Sequence, residues 1–143
     1  MNVATILKHK GAEIVSVGAD ATLQDAVALL AGKRIGATLV LDGKGQIQGI
    51  VSERDIVRAL AARGPACLTM PVTSVMTGTV KTCRSSDTID QLMAQMTAGR
   101  FRHVPVVDNG RLTGIVSIGD VVKLKIAETE LEVSAIREYI AAH

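Results

Sequence analysis

The chain has 143 residues and a net charge of +2, and 48% of its residues are hydrophobic. This length is enough to bury a sizeable core, and the small charge is too weak a bias to predict a nucleic-acid partner. With one Phe, one Tyr and no Trp, the chain also lacks the rings that a base-stacking surface needs.

The sequence argues against several further classes of protein. No stretch approaches the roughly 18 consecutive apolar residues of a membrane-spanning helix, and the N-terminus lacks the apolar stretch and cleavage site of a signal peptide. Cys67 and Cys83 form no CxxC motif and have no His pair beside them, which argues against a structural zinc site or a disulfide framework. We therefore expect a cytoplasmic protein with two reduced cysteines and no membrane segment.

The first half of the chain predicts the element order β-α-β-β-α. A short β-rich run at 14–17 leads to Thr22, which predicts a helix N-cap with Asp25 closing a capping box. Apolar residues then recur at helical spacing. Two apolar runs, 37–41 and 47–51, flank a Gly-bearing turn and predict a hairpin, and a second helix is expected directly after it.

The second half predicts the same order. A linker with two prolines at 64–74 is followed by a β-rich run at 79–82 and by Thr88, which predicts a helix N-cap with Gln91 in its capping box. A second hairpin and a second helix follow. Residues 123–143 are expected to be helical, with these candidate apolar contacts: Leu131, Val133, Ile136, Tyr139 and Ile140.

The two halves are copies of one another. Residues 47–58 fall on residues 112–123, an offset of 65, and six of these twelve positions are identical. Upstream the offset is 66, so the length differs in the hairpin turn, where such differences cost least. This duplication predicts a first unit at 1–63, a linker at 64–74, a second unit at 75–125 and a C-terminal amphipathic helix at 126–143.

Both copies carry the segment Gly-Ile-Val-Ser-x-x-Asp, in which a buried strand leads directly into a helix. The helix N-terminus offers unpaired backbone N–H groups and the positive end of the dipole, which suit a phosphate. Ser52 and Ser117 add hydroxyls there, and Asp55 and Asp120 could accept hydrogen bonds from vicinal hydroxyls such as a ribose diol. Ser-x-x-Asp is also the spacing of a capping box without any ligand, and the spacing alone leaves both interpretations open.

Three kinds of segment together resemble a known family. They are Val75-Met-Thr77, Arg102-His-Val-Pro-Val106 and the two Gly-Ile-Val-Ser-x-x-Asp copies. They make the chain, from about Val3 to about Lys125, similar to a tandem pair of cystathionine-β-synthase-type (CBS) domains, here a stand-alone Bateman module. The resemblance implies an α+β fold of two β-α-β-β-α units related by a pseudo-twofold axis, followed by a C-terminal helix. It also implies clefts between the units for adenosine-containing ligands.

The ligands implied by the resemblance are AMP, ADP or ATP, with NAD(H) or S-adenosylmethionine as alternatives, and no catalytic cofactor or metal. Carried over by position, Asp55 and Asp120 would bind ribose hydroxyls, and Ser52 and Ser117 would contact ribose or phosphate. The remaining positions would meet adenine or phosphate or shape the wall of the site: Val15, Ser16, Arg34, Arg54, Val80, Lys81, Arg100, Arg102, His103 and Pro105.

The two implied sites are not equivalent. Where the second unit has Arg102 and His103, the first unit has Gly36 and Ala37. One cleft therefore lacks phosphate-binding side chains from its own unit, and we expect the better site to be the one that contains Ser117.

No catalytic motif accompanies these residues, since the sequence has no Gly-x-Ser-x-Gly, His-Glu-x-x-His or Walker-type segment. His103 is more simply explained as a hydrogen-bonding group than as a catalytic base. The leading expectation is a non-catalytic sensor that forms a homodimer and signals in trans to an unidentified protein target. The alternative is a structural dimerisation module whose ligand clefts are degenerate.

Overall fold

The computed structural model describes residues 1–11 and 13–143. Its elements, in chain order, are α1 (Val3–Lys10), β1 (Ser16–Gly18), α2 (Leu23–Lys33), β2 (Ala37–Leu41), β3 (Ile47–Ser52), α3 (Glu53–Arg63), two short 3₁₀ helices (Gly64–Thr69 and Val72–Ser74), α4 (Ile89–Gly99), β4 (His103–Asp108), β5 (Arg111–Ser117) and α5 (Ile118–Ala142). Among these described residues the fold mixes five α-helices with two small sheets, as expected for the α+β class.

Contacts divide the chain into two compact units. Val15–Val80 form one, which we call the first-repeat unit, and Met1–Ile14 together with Lys81–His143 form the other, the second-repeat unit. The domain bounds predicted from the duplication divide the chain by the order of the repeats along the sequence, whereas these two units are divided by contacts in space. The predicted bounds stay a prediction.

The first-repeat unit has the predicted order β-α-β-β-α. β2 pairs in parallel with β1 and antiparallel with β3. The predicted cap of α2 is confirmed, because the Thr22 hydroxyl accepts from the Asp25 N–H and the Asp25 carboxylate accepts from the Thr22 N–H. The strand predicted from residue 14 begins at Ser16. The core of this unit consists of these buried residues: Leu23, Ala26, Val40, Val51, Cys67 and Val72.

The second-repeat unit matches its prediction except at one strand. β4 pairs antiparallel with β5, and the predicted capping box of Thr88 and Gln91 is confirmed. The strand predicted at 79–82 is wrong: within the described residues, the nearest pairing is a single bridge between Cys83 and Val106. Most side chains of that run are exposed, so no burial favours a strand there, whereas Cys83 is buried.

Helix α1 is an element that no pattern in the sequence predicted. Asn2 caps it through a capping box with Thr5, and three basic residues lie in its last turn, where the helix dipole favours positive charge. Val3 and Ile6 are buried in the core that the second-repeat unit builds from α4, β4 and β5. The first residues of the chain therefore complete the core of the second repeat.

In each hairpin, another segment of the chain packs directly against one glycine. The second-repeat hairpin is covered by α1, which precedes the first repeat, and the first-repeat hairpin by the segment that precedes the second repeat. A Cβ at Gly114 in β5 would lie 2.7 Å from Cδ2 of Leu7 in α1. A Cβ at Gly49 in β3 would lie 2.5 Å from Sδ of Met76 and 2.8 Å from the carbonyl oxygen of Thr77. Thr77 also exchanges two backbone hydrogen bonds with β3, of 2.9 and 3.0 Å. Both hairpins need glycine there because another segment approaches so closely.

Helix α5 is one continuous helix of 25 residues. The sequence predicted a helix after Ser117 and a separate C-terminal helix from residue 126. No Gly or Pro occurs between Val121 and Ala142, so nothing in the sequence ends the first helix at that junction. Val121 is buried, whereas every residue from 129 to 143 is exposed.

Cys67 and Cys83 are both buried, and neither forms a disulfide. Burial, followed by the negative charges of Asp87 and Asp108, raises the pKa of the Cys83 thiol to about 12. The thiol is therefore protonated at neutral pH and behaves as a small apolar side chain.

Replacing Gly49 by Ala is expected to destabilise the protein, because the new Cβ would collide with a backbone oxygen that pairs with β3. We expect a loss of about 1–3 kcal/mol in the free energy of unfolding, the usual cost of overpacking, measured by urea denaturation with circular dichroism. The control is Gly32→Ala in α2, where a Cβ has nothing within 4 Å. That change should add about 0.5–1 kcal/mol. A Gly49→Ala variant as stable as the unmodified chain would contradict the covering of this glycine.

Candidate functional site

The two repeated strand-to-helix turns form the same capping box. The N–H of Ser52 donates to Oδ2 of Asp55 at 2.9 Å, and the N–H of Asp55 donates to Oγ of Ser52 at 3.3 Å. The N–H of Ser117 donates to Oδ2 of Asp120 at 2.9 Å, and the N–H of Asp120 donates to Oγ of Ser117 at 3.2 Å. The capping interpretation is confirmed, so these four side chains have a structural role whether or not a ligand binds.

The two carboxylates differ in their third partner. Nζ of Lys10, at the end of α1, lies 2.7 Å from Oδ2 of Asp120 and 3.0 Å from the carbonyl oxygen of Ile115. Asp55 instead accepts a hydrogen bond of 3.2 Å from Oγ1 of Thr77, and this bond falls on its Oδ1. Both Lys10 and the N–H of Ser117 bind Oδ2 of Asp120, so neither of them uses its Oδ1. At Asp55, in contrast, the capping box uses Oδ2 and Thr77 uses Oδ1.

The charge state of Asp120 follows from these contacts. Burial raises the pKa of its carboxyl, but the hydrogen bond from Lys10, the N–H of Ser117 and the charge of Lys10 together outweigh burial and hold the pKa below its usual value. Asp120 is therefore ionised at neutral pH and can only accept hydrogen bonds. This suits it to a ligand that offers hydroxyl or amino donors.

Further predicted residues lie at the same end of the second-repeat hairpin as Asp120. His103 at the start of β4 is opposite Ser117 at the end of β5, and the N–H of Ile118 donates to the carbonyl oxygen of Arg102 at 2.7 Å. His103 is half-buried and Arg102 is exposed, while Pro105 is buried in β4. Arg100 ends α4 in the left-handed conformation, with φ of 55°, and is exposed.

The first-repeat unit arranges its predicted residues in the corresponding way. Ala37 lies opposite Ser52, where the other unit has His103, so no cationic side chain comes from this β2 position. Arg34 ends α2 with φ of 55°, as Arg100 ends α4. Arg54 is exposed in the first turn of α3.

Val15 and Ser16, which were predicted to contact adenine, already use backbone groups within the sheet. The carbonyl oxygen of Val15 already accepts from the N–H of Leu39 at 3.4 Å and from Oγ1 of Thr38 at 3.2 Å, and Ser16 pairs with Leu39 in the sheet. An adenine edge would compete with these bonds. The other two predicted positions, Val80 and Lys81, lie at the boundary of the two units and outside regular structure.

Lys10 and Thr77 are the residues that the sequence analysis missed. Lys10 is far from Asp120 along the chain, and no local pattern links them. Thr77 belongs to the Val75-Met-Thr77 segment that carried part of the resemblance, but the resemblance assigned it no role. Both residues are brought to the carboxylates by the segments that cover Gly114 and Gly49.

A surface depression of about 880 Å³ lies elsewhere. It is in the second-repeat unit at the β4–β5 turn, the opposite end of the hairpin from Ser117, and is lined by residues 82–87 and 107–110. Asp108 in its wall accepts from the N–H of Ser85 at 3.0 Å and from Oγ1 of Thr113 at 3.3 Å. Its volume alone does not make this depression the candidate site.

The described residues contain no group of three or more His, Cys, Asp or Glu that could hold a metal ion. None of the described helices has both the length and the apolar character needed to cross a membrane.

Comparison with known proteins finds relatives over most of the chain. A family model for the CBS domain matches residues 6–62 and 72–127. The crystal structure of a CBS-domain containing protein from Agrobacterium tumefaciens is 48% identical with a TM-score of 0.85, and the match covers 87% of this chain and 92% of that one. A mitochondrial CBS domain-containing protein from Arabidopsis thaliana is 34% identical over 125 residues, which are 85% of this chain but only 61% of that protein. This chain therefore spans about three fifths of that relative.

Two solved relatives contain adenosine compounds. A CBS domain protein from Pyrobaculum aerophilum, complexed with AMP, is 28% identical with a TM-score of 0.76, and the match covers 90% of this chain and 99% of that one. A CBS domain pair in complex with 5-methylthioadenosine and S-adenosyl-L-methionine is 25% identical with a TM-score of 0.79, covering 90% and 98%.

The Lys10–Asp120 pair predicts an acid-sensitive contribution to stability. Because the pKa of Asp120 is lower in the folded than in the unfolded chain, its contribution is present above the unfolded value and is lost as the pH falls through the folded one. Lys10→Met should therefore lower stability at pH 7 by at most about 1 kcal/mol, since the pair is partly exposed, and the difference from the unmodified chain should vanish in acid. NMR titration should show a higher Asp120 pKa in the variant.

The matched control is Lys8→Met, which removes the same charge from an exposed position on the same helix. It should leave the Asp120 titration almost unchanged. If Lys10→Met leaves the Asp120 pKa where it is, the ion pair does not form in solution.

Proposed function

The chain belongs to the CBS domain family, and on that premise we propose that it is a non-catalytic regulatory module that binds an adenosine-containing ligand. AMP, ADP or ATP are the ligands proposed first, with NAD(H) or S-adenosylmethionine as alternatives. The complexes of the two relatives with AMP, 5-methylthioadenosine and S-adenosyl-L-methionine support an adenosine ligand, since adenosine is what these compounds share.

The observation that carries the proposal is the state of Asp120. Its carboxylate is ionised, it lies in the first turn of α5, and neither Lys10 nor the capping box uses its Oδ1. A ribose hydroxyl would donate to this oxygen, and a neighbouring phosphate would meet the N-terminal end of the helix dipole. Arg100, Arg102 and His103 are the proposed phosphate contacts, and Lys81 and Val80 the proposed adenine contacts.

The first-repeat unit is proposed as the weaker half-site. Oδ1 of Asp55 already accepts from Thr77, so a ribose hydroxyl would have to share or replace that bond. Gly36 and Ala37 supply no phosphate-binding side chain. Arg34 and Arg54 are the proposed cations, with Val15, Ser16 and Ser52 as further contacts.

One observation favours the alternative, a structural module with degenerate ligand sites. Both Ser-x-x-Asp segments form complete capping boxes, so their residues are accounted for without a ligand. Under either function we propose that the protein is a homodimer in the cytoplasm. Under the first, it transmits ligand binding in trans to a protein target.

A thermal-shift panel separates the two functions. A ligand that binds only the folded chain stabilises it, by about 2.7 kcal/mol when the ligand concentration is a hundred times Kd. The melting temperature must therefore rise. We expect a dose-dependent rise with at least one of AMP, ADP, ATP, NAD⁺, NADH and S-adenosylmethionine, and none with GTP. No rise with any adenosine compound would favour the structural module.

The site assignment is tested by Asp120→Asn, with calorimetric titration of whichever ligand stabilises the protein. We expect affinity to fall at least about tenfold, or about 1.4 kcal/mol, because the acceptor loses its charge. Asp25→Asn is the matched control, since Asp25 closes the same kind of capping box on α2 but belongs to no proposed site. Equal affinities for the two variants and the unmodified chain would show that Asp120 does not contact the ligand.

A further inference from the structure

Helix α5 carries a continuous apolar seam that faces solvent. Its members follow one another at alternating spacings of four and three residues: Val122, Ile126, Thr129, Val133, Ile136 and Ile140. The five aliphatic members are between 40% and 66% exposed. Oγ1 of Thr129 donates to the carbonyl oxygen of Lys125 at 2.9 Å, so this polar member satisfies its hydroxyl within the helix. A seam of this period is typical of a two-stranded coiled coil.

The seam is distinct from the side of α5 that faces its own unit. Val121 is buried there, and Lys125 and Glu128 make ion pairs with Asp90 and with the N-terminal amine of the chain. From residue 129 to residue 142 the helix has only exposed residues, a length of about 21 Å. A helix of that length without tertiary contacts is marginally stable in water, so its apolar side needs a partner.

We propose that the partner is a second copy of the same chain, with the two α5 helices parallel and in register. The proposal deepens the homodimer of the preceding section and does not depend on ligand binding. In a parallel pair, a residue on one flank of the seam, at 125 or 132, meets the residue on the opposite flank five positions further along the other helix. Lys125 would meet Glu130, and Glu132 would meet Arg137, so opposite charges face each other at both places.

In the antiparallel arrangement that overlaps the whole seam, Val122 of one helix lies beside Ile140 of the other. This arrangement places like charges together. In that register Glu130 faces its own copy, Glu132 faces its own copy, and Lys123 faces Arg137. Like charges across a coiled coil select against an arrangement. Because Lys125 already pairs with Asp90, the contact of Glu132 with Arg137 in the projecting part is the one that favours the parallel orientation most.

The surface is tested by light scattering after size-exclusion chromatography of the full chain at micromolar concentration. The unmodified chain should have twice the chain mass of 15.0 kDa, and Ile136→Glu should have the single-chain mass. Leu131→Glu is the matched control: Leu131 is 60% exposed and Ile136 59%, but Leu131 lies outside the seam. It should remain dimeric. Both substitutions are at exposed positions, and circular dichroism verifies the fold.

The orientation is tested by Ile140→Cys with an added thiol oxidant. In a parallel pair the two new thiols lie side by side and should form a disulfide, whereas in the antiparallel arrangement they are about 27 Å apart along the axis. The native cysteines are buried, so the unmodified chain should not cross-link.

Three outcomes would overturn the proposal, each at a different point. A monomeric unmodified chain would overturn both the homodimer and the seam. A dimer that survives Ile136→Glu would place the interface on another surface. A dimer that requires Ile136 but does not cross-link through residue 140 would overturn the parallel orientation. Ligand-induced stabilisation is measured separately, so a failure of the nucleotide proposal would not be confused with any of these.

Discussion

In each hairpin, another segment of the chain packs closely on one glycine. This packing determines which residue reaches the carboxylate of the nearby capping box. Where Leu7 covers Gly114, α1 is held against β5, and its last residue, Lys10, reaches Asp120. Where Met76 covers Gly49, Thr77 pairs with β3 and its hydroxyl reaches Asp55. The steric fit at a position without a side chain thus fixes the hydrogen bonds of the carboxylates. Apolar packing and the electrostatics of the candidate site are consequences of the same contact.

The duplicated halves differ in these covering segments. One is a capped helix with a basic last turn, and the other is a 3₁₀ helix followed by a short extended stretch. An ammonium therefore lies beside one carboxylate and a hydroxyl beside the other. The ammonium binds the oxygen that the capping box already uses, whereas the hydroxyl binds the second oxygen. The two copies of one motif thus differ in which carboxylate oxygen the covering segment binds.

Helix α5 joins the candidate site to the proposed dimer surface. Its first turn contains Asp120, its next turns pack on α4 and α1, and its remaining length projects with the apolar seam exposed. No Gly or Pro interrupts α5 after Gly119, so a displacement of the turn that contains Asp120 would be carried along the helix to the seam. This gives ligand binding a physical route to the association of two chains, provided that the ligand binds two arrangements of the helix with different affinity.

The duplication, the fold class, the capping boxes of Thr22 and Thr88 and both hairpins could be predicted from the sequence alone, whereas the Ser-x-x-Asp spacing left a capping box and a ligand site as open alternatives. The capping boxes and hairpins depend on spacings within about a dozen residues, such as Thr22 to Asp25 or the apolar runs on either side of a turn. The strand predicted at 79–82 failed because β-propensity without burial does not create a strand. The completion of the second-repeat core by α1 and the pairing of Lys10 with Asp120 are visible in the tertiary structure alone. Such contacts join residues from opposite ends of the chain through shape and burial, and no local periodicity in the sequence indicates them.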